Sequence, residues 1–450
     1  MTKRQRLVVI GAVAAGTSAA AKAKRSAPDL EVILLERSSH ISYGACGLPY
    51  WIAGVIPSAD DLVARTPSQF RQNGIDVRTQ HEVIRIDSAD KSLRVADRPN
   101  MTDYTLAYDH LVIASGAQAF RPPIPGVNLP GVFTLRTLAD GLLLQEELRL
   151  HPPRNAVIVG GGYIGLEMAE AFCALDLPAT IVEMAPQLMV SLDQDMSEIV
   201  LAEVERHGVR VSLNDALAGF DGTDRVEKAI TENHEIPADL VVLAIGVRPS
   251  VELAIQARIG LGSSKAVAVD SHMRTDTDSI YAAGDCVEAV HQVTGKTVYM
   301  PLGSTANKQG RVAGANVAGM SCTFGGVVGT ALAKVFDLEV ARTGLTERQA
   351  TAEGFAVHSE HITTEDRARY YPGRTRLDVK LIMDQASRRL LGAQLVGAQG
   401  AAKRVDVLAA ALYARMTVDD LTHLDYSYAP PYASVWDATL RAANVAGRCR

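Results

Sequence analysis

The stretch Asn155–Met184, NAVIVGGGYIGLEMAEAFCALDLPATIVEM, limits what this chain can fold into more than any other segment. A short, wholly apolar run stops at three consecutive glycines, a helix-like segment follows, and a second apolar run ends on Glu183. Strands apolar along their whole length must be covered on both faces, which calls for a parallel sheet between layers of helix. The same layout stands near the start of the chain. RLVVIG reads as a buried strand, Ala14 to Ser26 as a helix of small residues, and EVILLE as the next strand, ending on Glu36. Two such units predict an α/β protein with two Rossmann-like domains, duplicated in layout without a detectable repeat of sequence.

The two glycine loops carry chemistry. A dinucleotide site needs a tight first turn, close backbone approach to a pyrophosphate, and a helix N-terminus aimed at it. Gly160, Gly162 and Gly165 occupy the G-x-G-x-x-G positions, with Tyr163 and Ile164 opening the helix. Glu183 ends the following strand, where a carboxylate welcomes a ribose 2′-hydroxyl and repels a 2′-phosphate. That favours NADH, with NADPH as the alternative donor. The first loop, GAVAAG, runs through Gly11, Ala12, Val13, Ala14, Ala15 and Gly16, and places Val13 where the middle glycine belongs. On its own it is an ordinary glycine-rich turn; the strand before it, the helix after it and Glu36 beyond it raise it to a second dinucleotide site. A third element, YAAGDC, sets Asp285 after a strand and Gly284. An acid there can bond a polyol chain, although taken alone it is a turn aspartate.

At 450 residues the chain exceeds one ordinary core. Strand-like and helix-like runs alternate to about residue 325. The Pro-rich segment near Pro122–Gly126 and the matching close near Gly246–Pro249 read as domain boundaries. Beyond Gly325, LDVKLIMD, RRLLGAQLVG and DVLAAALYARM suggest an antiparallel sheet with helices, hence a separate α+β domain. A net charge of −6 offers no basic footprint for nucleic acid. No apolar run is long enough to span a bilayer. The basic, small-residue N-terminus has the outline of a secretory signal, but Gly11 and Gly16 break its apolar stretch at the loop positions. The five cysteines, Cys46, Cys173, Cys286, Cys322 and Cys449, are odd in number and widely spread. They argue against a disulfide framework and for a reducing, cytoplasmic setting.

One of these thiols is unusual in context. In SYGACGLPYWIAG, Cys46 has no second cysteine nearby for a disulfide and no set of ligands for a metal. It precedes a helix with Pro49 in the first turn, a position expected to favour thiolate. Without that context a lone cysteine is a core thiol, and the other four read that way.

The ordered set GxxxxG…E, C-G-x-P-Y, A-S-G-A, GxGxxG…E, A-I-G-x-x-P and A-A-G-D resembles the FAD-dependent pyridine nucleotide–disulfide oxidoreductases. GAVAAG, CGLPY and the C-terminal YAPPY, with YYPG upstream, resemble its single-cysteine branch, that of the coenzyme A-disulfide reductases. The resemblance covers nearly the whole chain. It implies an FAD domain in two parts, 1–122 and 249–325, an NAD(P)H domain at 123–248, and a dimerisation domain at 326–450. FAD would lie against Gly11 to Gly16, Glu36, Arg37, Val83, Ser115, Gly116, Gly284, Asp285, Pro301, Leu302 and Gly303. The nicotinamide cofactor would lie against Gly160, Gly162, Tyr163, Ile164, Gly165, Glu183 and Gly246. Coenzyme A positions map to Ser18, Lys22, Arg25, Ser42 and Asn307, and no metal is implied.

Glutathione-reductase-type relatives carry C-x-x-x-x-C, but Trp51 stands where the second cysteine would be. Cys46 must therefore cycle as a mixed disulfide with a small thiol or as a sulfenic acid. In the first case the substrate is coenzyme A disulfide or a related disulfide or persulfide, and Tyr428, with Tyr370 or Tyr371, supplies a proton to the departing thiolate. The resemblance further implies a homodimer in which Tyr428 serves the neighbour's site. Two departures bear on coenzyme A: Ala45 replaces a residue often polar, and Trp436 stands where some relatives have lysine. The alternatives are an NADH oxidase or peroxidase, although Ala14 stands where peroxidase-like relatives carry histidine, and a thiol-independent electron-transfer flavoprotein.

Overall fold

A computed structural model describes residues 4–448 of the chain. The first sheet has five parallel strands in the order Ile280–Ala282, His110–Ile113, Arg6–Ile10, Glu31–Glu36 and Ile75–Thr79. One face carries the helices Ala14–Ser26 and Gly303–Val317. These pack backbone to backbone: a Cβ on Gly310 or Gly314 would meet the carbonyl oxygen of Ala15 or Ala19 at 2.2 Å. That contact is why the first helix is built from small residues. The other face is covered by a small antiparallel sheet, His81–Asp87, Ser92–Asp97 and Thr102–Ala107.

The second sheet repeats the plan. Its five parallel strands run Arg210–Ser212, Ala179–Val182, Ala156–Val159, Leu240–Leu243 and Val132–Thr134. The chain enters and leaves this unit through two adjacent crossings, Ala117–Ala119 and Val247–Pro249, which pair antiparallel. It then returns to add Ile280–Ala282 to the first sheet. The third unit is a five-stranded antiparallel sheet, Ala331–Val335, Leu338–Gly344, Leu390–Gly397, Arg376–Asp384 and Val357–Glu365, backed by the helices Ala401–Tyr413 and Ala438–Arg448. The α/β reading with a C-terminal α+β unit holds. Cys46, Cys173, Cys286 and Cys322 are free thiols; Cys449 lies outside the described residues.

Buried charge bolts the second unit to the third. The Lys380 ammonium meets Asp195 at 2.8 Å, Glu347 at 2.9 Å and Asp193 at 3.6 Å. His361 bridges Asp195 at 3.0 Å and Asp378 at 3.1 Å. Its bonds to Asp195 and Asp378 push its pKa up to about 9. A folded-state pKa raised above the unfolded value near 6.5 gives stability that is full below that value and lost as pH rises through about 9. His361→Gln should therefore lower the melting temperature by a few degrees at neutral pH, on the order expected for ~1 kcal/mol. The deficit should shrink in alkaline buffer. A thermal scan showing the same deficit at both pH values would contradict the charged bridge.

Candidate active site

The two glycine loops are built alike. Gly11 and Gly160 both turn with positive φ, +94° and +105°. A Cβ on Gly16 would meet the carbonyl oxygen of Gly11 at 1.8 Å, and one on Gly165 that of Gly160 at 1.9 Å. Each loop thus closes on its own helix, the close approach that the last glycine of the motif exists to allow. Gly162, by contrast, faces open space, with nothing within 4 Å of where a Cβ would lie. That is the cradle a pyrophosphate needs, and a side chain would fill it. Val13 stands at the matching place in the first loop, half-buried. Glu36 accepts the N–H groups of Ala12 and Ser38, both at 2.9 Å. Glu183 accepts those of Gly161 at 2.7 Å and Ala185 at 2.8 Å. Both carboxylates therefore brace their loops and keep lone pairs free for a ribose.

The remaining cofactor positions fall around these loops. Ser115 donates to the Ser250 carbonyl at 2.7 Å, and with Gly116 and Gly246 it marks the paired crossings. The N–H of Gly284 donates to Gln309 at 2.9 Å. Pro301 and Leu302 lead into the helix that begins at Gly303, whose Cα also faces open space. Arg37 is exposed, while the side chain of Val83 is spent in the core. Asp285 is paired with Arg136 at 2.5 Å, and burial raises its pKa against the opposing guanidinium. The Nε of Arg136 is buried without a partner, a donor aimed at nothing the chain itself supplies. The open cradles and this orphaned donor fit two dinucleotides.

Cys46 sits solvent-exposed on a single 3₁₀ turn, Ala45–Gly47, ahead of the five-residue helix Leu48–Ile52. Its segment is tied to the first loop, because Ser42 donates its N–H to the Ala12 carbonyl at 2.8 Å. The expectation that the helix would stabilise the thiolate is corrected here. Packing around the sulfur pushes the thiol pKa up, Glu167 and Asp285 push the same way, and Arg136 and a main-chain hydrogen bond at Cys46 itself oppose them without reversing the direction. A helix of five residues has too short a dipole to outweigh two carboxylates.

Ser18, Lys22 and Arg25 share one face of the first helix, and Ser18 donates to Asn307 at 2.7 Å. The phenols of Tyr370 and Tyr428 bond each other at 2.7 Å. Both are exposed, as are Tyr371, Tyr432, Val435 and Trp436 around them. Among the described residues the pair makes no hydrogen bond to the Cys46 segment within one chain.

Sequence reasoning missed two residues. Arg136 stands in TLRTLAD, outside every motif, and carried no signal. Glu167 is the acid in the apolar turn YIGLEMA, one helical turn beyond Tyr163 on the same face, and that spacing could have flagged it. Burial pushes it up to about 7, against the bond from Tyr50, whose hydroxyl donates to it at 3.5 Å, and with Glu170 adding to the rise.

Residues 5–310 match the model for pyridine nucleotide-disulphide oxidoreductases, and residues 330–439 match the dimerisation domain of the same group. The chain belongs to this family. It is 38% identical over 444 residues, 98% of each chain, to the NAD(P)H coenzyme A polysulfide/persulfide reductase of Pyrococcus horikoshii. It is 29% identical over 432 residues to the coenzyme A disulfide reductase of Staphylococcus haemolyticus, covering 95% of this chain and 96% of that one. Among solved structures, the NAD-dependent persulfide reductase of A. fulgidus superimposes with a TM-score of 0.96 at 39% identity, covering 99% of this chain and 83% of that one.

Proposed function

We propose that this protein passes electrons from NADH through FAD to Cys46 and so reduces coenzyme A disulfide or a coenzyme A persulfide. The observation that carries this reading is the single open thiol of Cys46, hydrogen-bonded through its segment to the first loop and with Trp51 in place of a second cysteine. FAD, when bound, supplies a two-electron relay between nicotinamide and thiol. The residues of the chain do the rest. The Cys46 thiolate attacks one sulfur of the substrate disulfide, forms a mixed disulfide and releases one coenzyme A thiolate, which takes a proton from Tyr428. Two electrons then break the mixed disulfide, returning the Cys46 thiolate and a second coenzyme A. Ser18, Lys22, Arg25, Ser42 and Asn307 would hold the coenzyme A moiety, the two cations suiting its phosphates.

The exposed aromatic patch around Tyr428, within a matched dimerisation domain, supports a homodimer whose sites are shared between subunits. No helix among the described residues is long and apolar enough to cross a membrane. Four unpaired cysteines suit a reducing, cytoplasmic setting. The test is the mass of the as-isolated protein under non-reducing conditions. A coenzyme A adduct on Cys46 supports the reading; one or more added oxygens there would replace it with the oxidase reading.

Preference for NADH follows from Glu183. Glu183→Ala should move the NADH-to-NADPH ratio of kcat/KM towards NADPH by about tenfold, the worth of one like-charge contact near 1.4 kcal/mol. If the unaltered protein already prefers NADPH, this reading of the strand end is wrong.

A further inference from the structure

The buried face of an antiparallel sheet is ordinarily apolar, and the five-stranded sheet of the third unit departs from that. Lys380, Gln394 and Arg342 stand opposite one another in register on three adjacent strands, so they share a face, and all three are buried. Lys380 belongs to the ion-pair bridge with Asp195 and Glu347. Gln394, 1% exposed, grips Asp193, the residue before the helix Gln194–Arg206 of the second unit. Its amide oxygen accepts the main-chain N–H of Asp193 at 2.9 Å, and its amide nitrogen donates to the carboxylate of the same residue at 2.7 Å. The N–H of Glu347 donates to that carboxylate at 3.0 Å. One residue of the second unit is thus held by main chain and side chain together.

Asp193 anchors the segment Leu188–Leu192, which lies against the second glycine loop. Leu192 donates its N–H to the Met189 carbonyl at 2.7 Å, and Met189 donates its own to the Gly161 carbonyl at 2.8 Å. Met189 is buried with φ +44°, a left-handed conformation that a residue with a long side chain rarely adopts. Such a conformation persists where its surroundings fix it. Here Ser197 holds the Leu188 carbonyl at 2.6 Å on one side, and Gln394 holds Asp193 on the other. The effect on the loop follows from peptide planarity. In a trans peptide the C=O and the following N–H point in opposite directions. With the Gly161 carbonyl turned to Met189, the Gly162 N–H faces the other way. It has no acceptor among the described residues, and the space beside Gly162 is open.

We propose that Gln394 is a positioning residue for the nicotinamide cofactor: by gripping Asp193 it holds Met189 on the Gly161 carbonyl and so aims the Gly162 N–H at the pyrophosphate. The inference rests on this loop being the NADH site. A donor fixed in place before binding needs no ordering when the anion arrives. Losing the grip therefore weakens cofactor binding and leaves hydride transfer to the flavin as it was.

The test uses ADP-ribose, which carries the pyrophosphate without the nicotinamide, titrated calorimetrically into the oxidised holoenzyme. Flavin reduction by NADH and by N-benzyl-1,4-dihydronicotinamide, a hydride donor without phosphate, is followed by stopped flow. Gln394→Leu keeps the bulk and removes both bonds. It should weaken ADP-ribose and NADH by a common factor of about three to ten, the worth of one well-placed hydrogen bond. The limiting rate with NADH and the rate with the benzyl donor should stay within about twofold. Gln394→Glu sets two carboxylates against each other and should bind ADP-ribose more weakly still. Adding Asp193→Asn to it exchanges donor and acceptor, conserves the charge and should restore affinity. Unchanged ADP-ribose affinity in Gln394→Leu overturns the proposal. So does a benzyl-donor rate that falls by the same factor as NADH affinity, because general damage to the fold would slow both donors. Should Gln394→Leu fail to fold with its flavin, a double variant that binds no better than Gln394→Glu alone overturns it equally. Unaltered protein that binds no ADP-ribose would bring down the assignment of the loop itself, and the proposal with it.

Discussion

Cys46→Ser should lose reduction of coenzyme A disulfide by about a thousandfold or more, the scale on which removal of a nucleophile acts. A hydroxyl in that position neither ionises near neutral pH nor forms a mixed disulfide. Flavin should stay bound, because the 3₁₀ turn Ala45–Gly47 is held by main-chain bonds and not by the sulfur: Gly44 donates to the Leu62 carbonyl at 2.8 Å. Tyr428→Phe should fall by about a hundredfold or more, the usual contribution of a positioned acid. If each site takes Cys46 from one subunit and Tyr428 from the other, mixing and reassembling the two variants restores one complete site per heterodimer. Random pairing would then return about a quarter of full activity. Turnover undiminished in Cys46→Ser would show that the thiol is not on the electron path. A verified heterodimer of two inactive variants that recovers nothing would show that the sites are not shared.

The second large effect is expected at the nucleotide loop. In Gly165→Ala the added methyl would lie 1.9 Å from the Gly160 carbonyl oxygen, a backbone atom that cannot swing aside. Forcing the loop off its helix costs ~1–3 kcal/mol in comparable overpacked sites, which should raise KM for NADH by about ten- to a hundredfold. The matching change Gly16→Ala sets its methyl 1.8 Å from Gly11 and should act on flavin retention instead. Stopped-flow reduction of the flavin and the flavin-to-protein absorbance ratio separate the two. If Gly165→Ala lost flavin and kept NADH affinity, the assignment of the loops would be reversed.

Much of this molecule could be read along the chain because its information is local. A strand buried on both faces must be apolar at every position, as RLVVI and AVIV are. A loop that touches its own helix must have glycine at Gly16 and Gly165. A carboxylate that braces a loop must end the following strand, as Glu36 and Glu183 do. Each requirement is met within about thirty residues, so composition and spacing expose it. The antiparallel character of the C-terminal sheet was equally legible, from short strand-like runs without intervening helices.

What lay beyond the sequence is whatever depends on residues meeting across domains. Arg136 reaches Asp285 over 149 positions, and Tyr50 reaches Glu167 over 117. The bridge of Lys380 and His361 to Asp193 and Asp195 likewise joins two units with no motif to announce it. These encounters set the electrostatics, and here the tertiary structure reversed the local expectation: a cysteine at a helix start reads as a ready thiolate, yet burial and the carboxylates of Glu167 and Asp285 outweigh Arg136 and the local main-chain bond and raise the pKa of Cys46. The sequence by itself determined the two loops, the lone thiol and the class of chemistry, because van der Waals contact and backbone geometry act between near neighbours. Only the folded chain decided which charges face that thiol, because Coulomb forces act through space and take no account of distance along the chain.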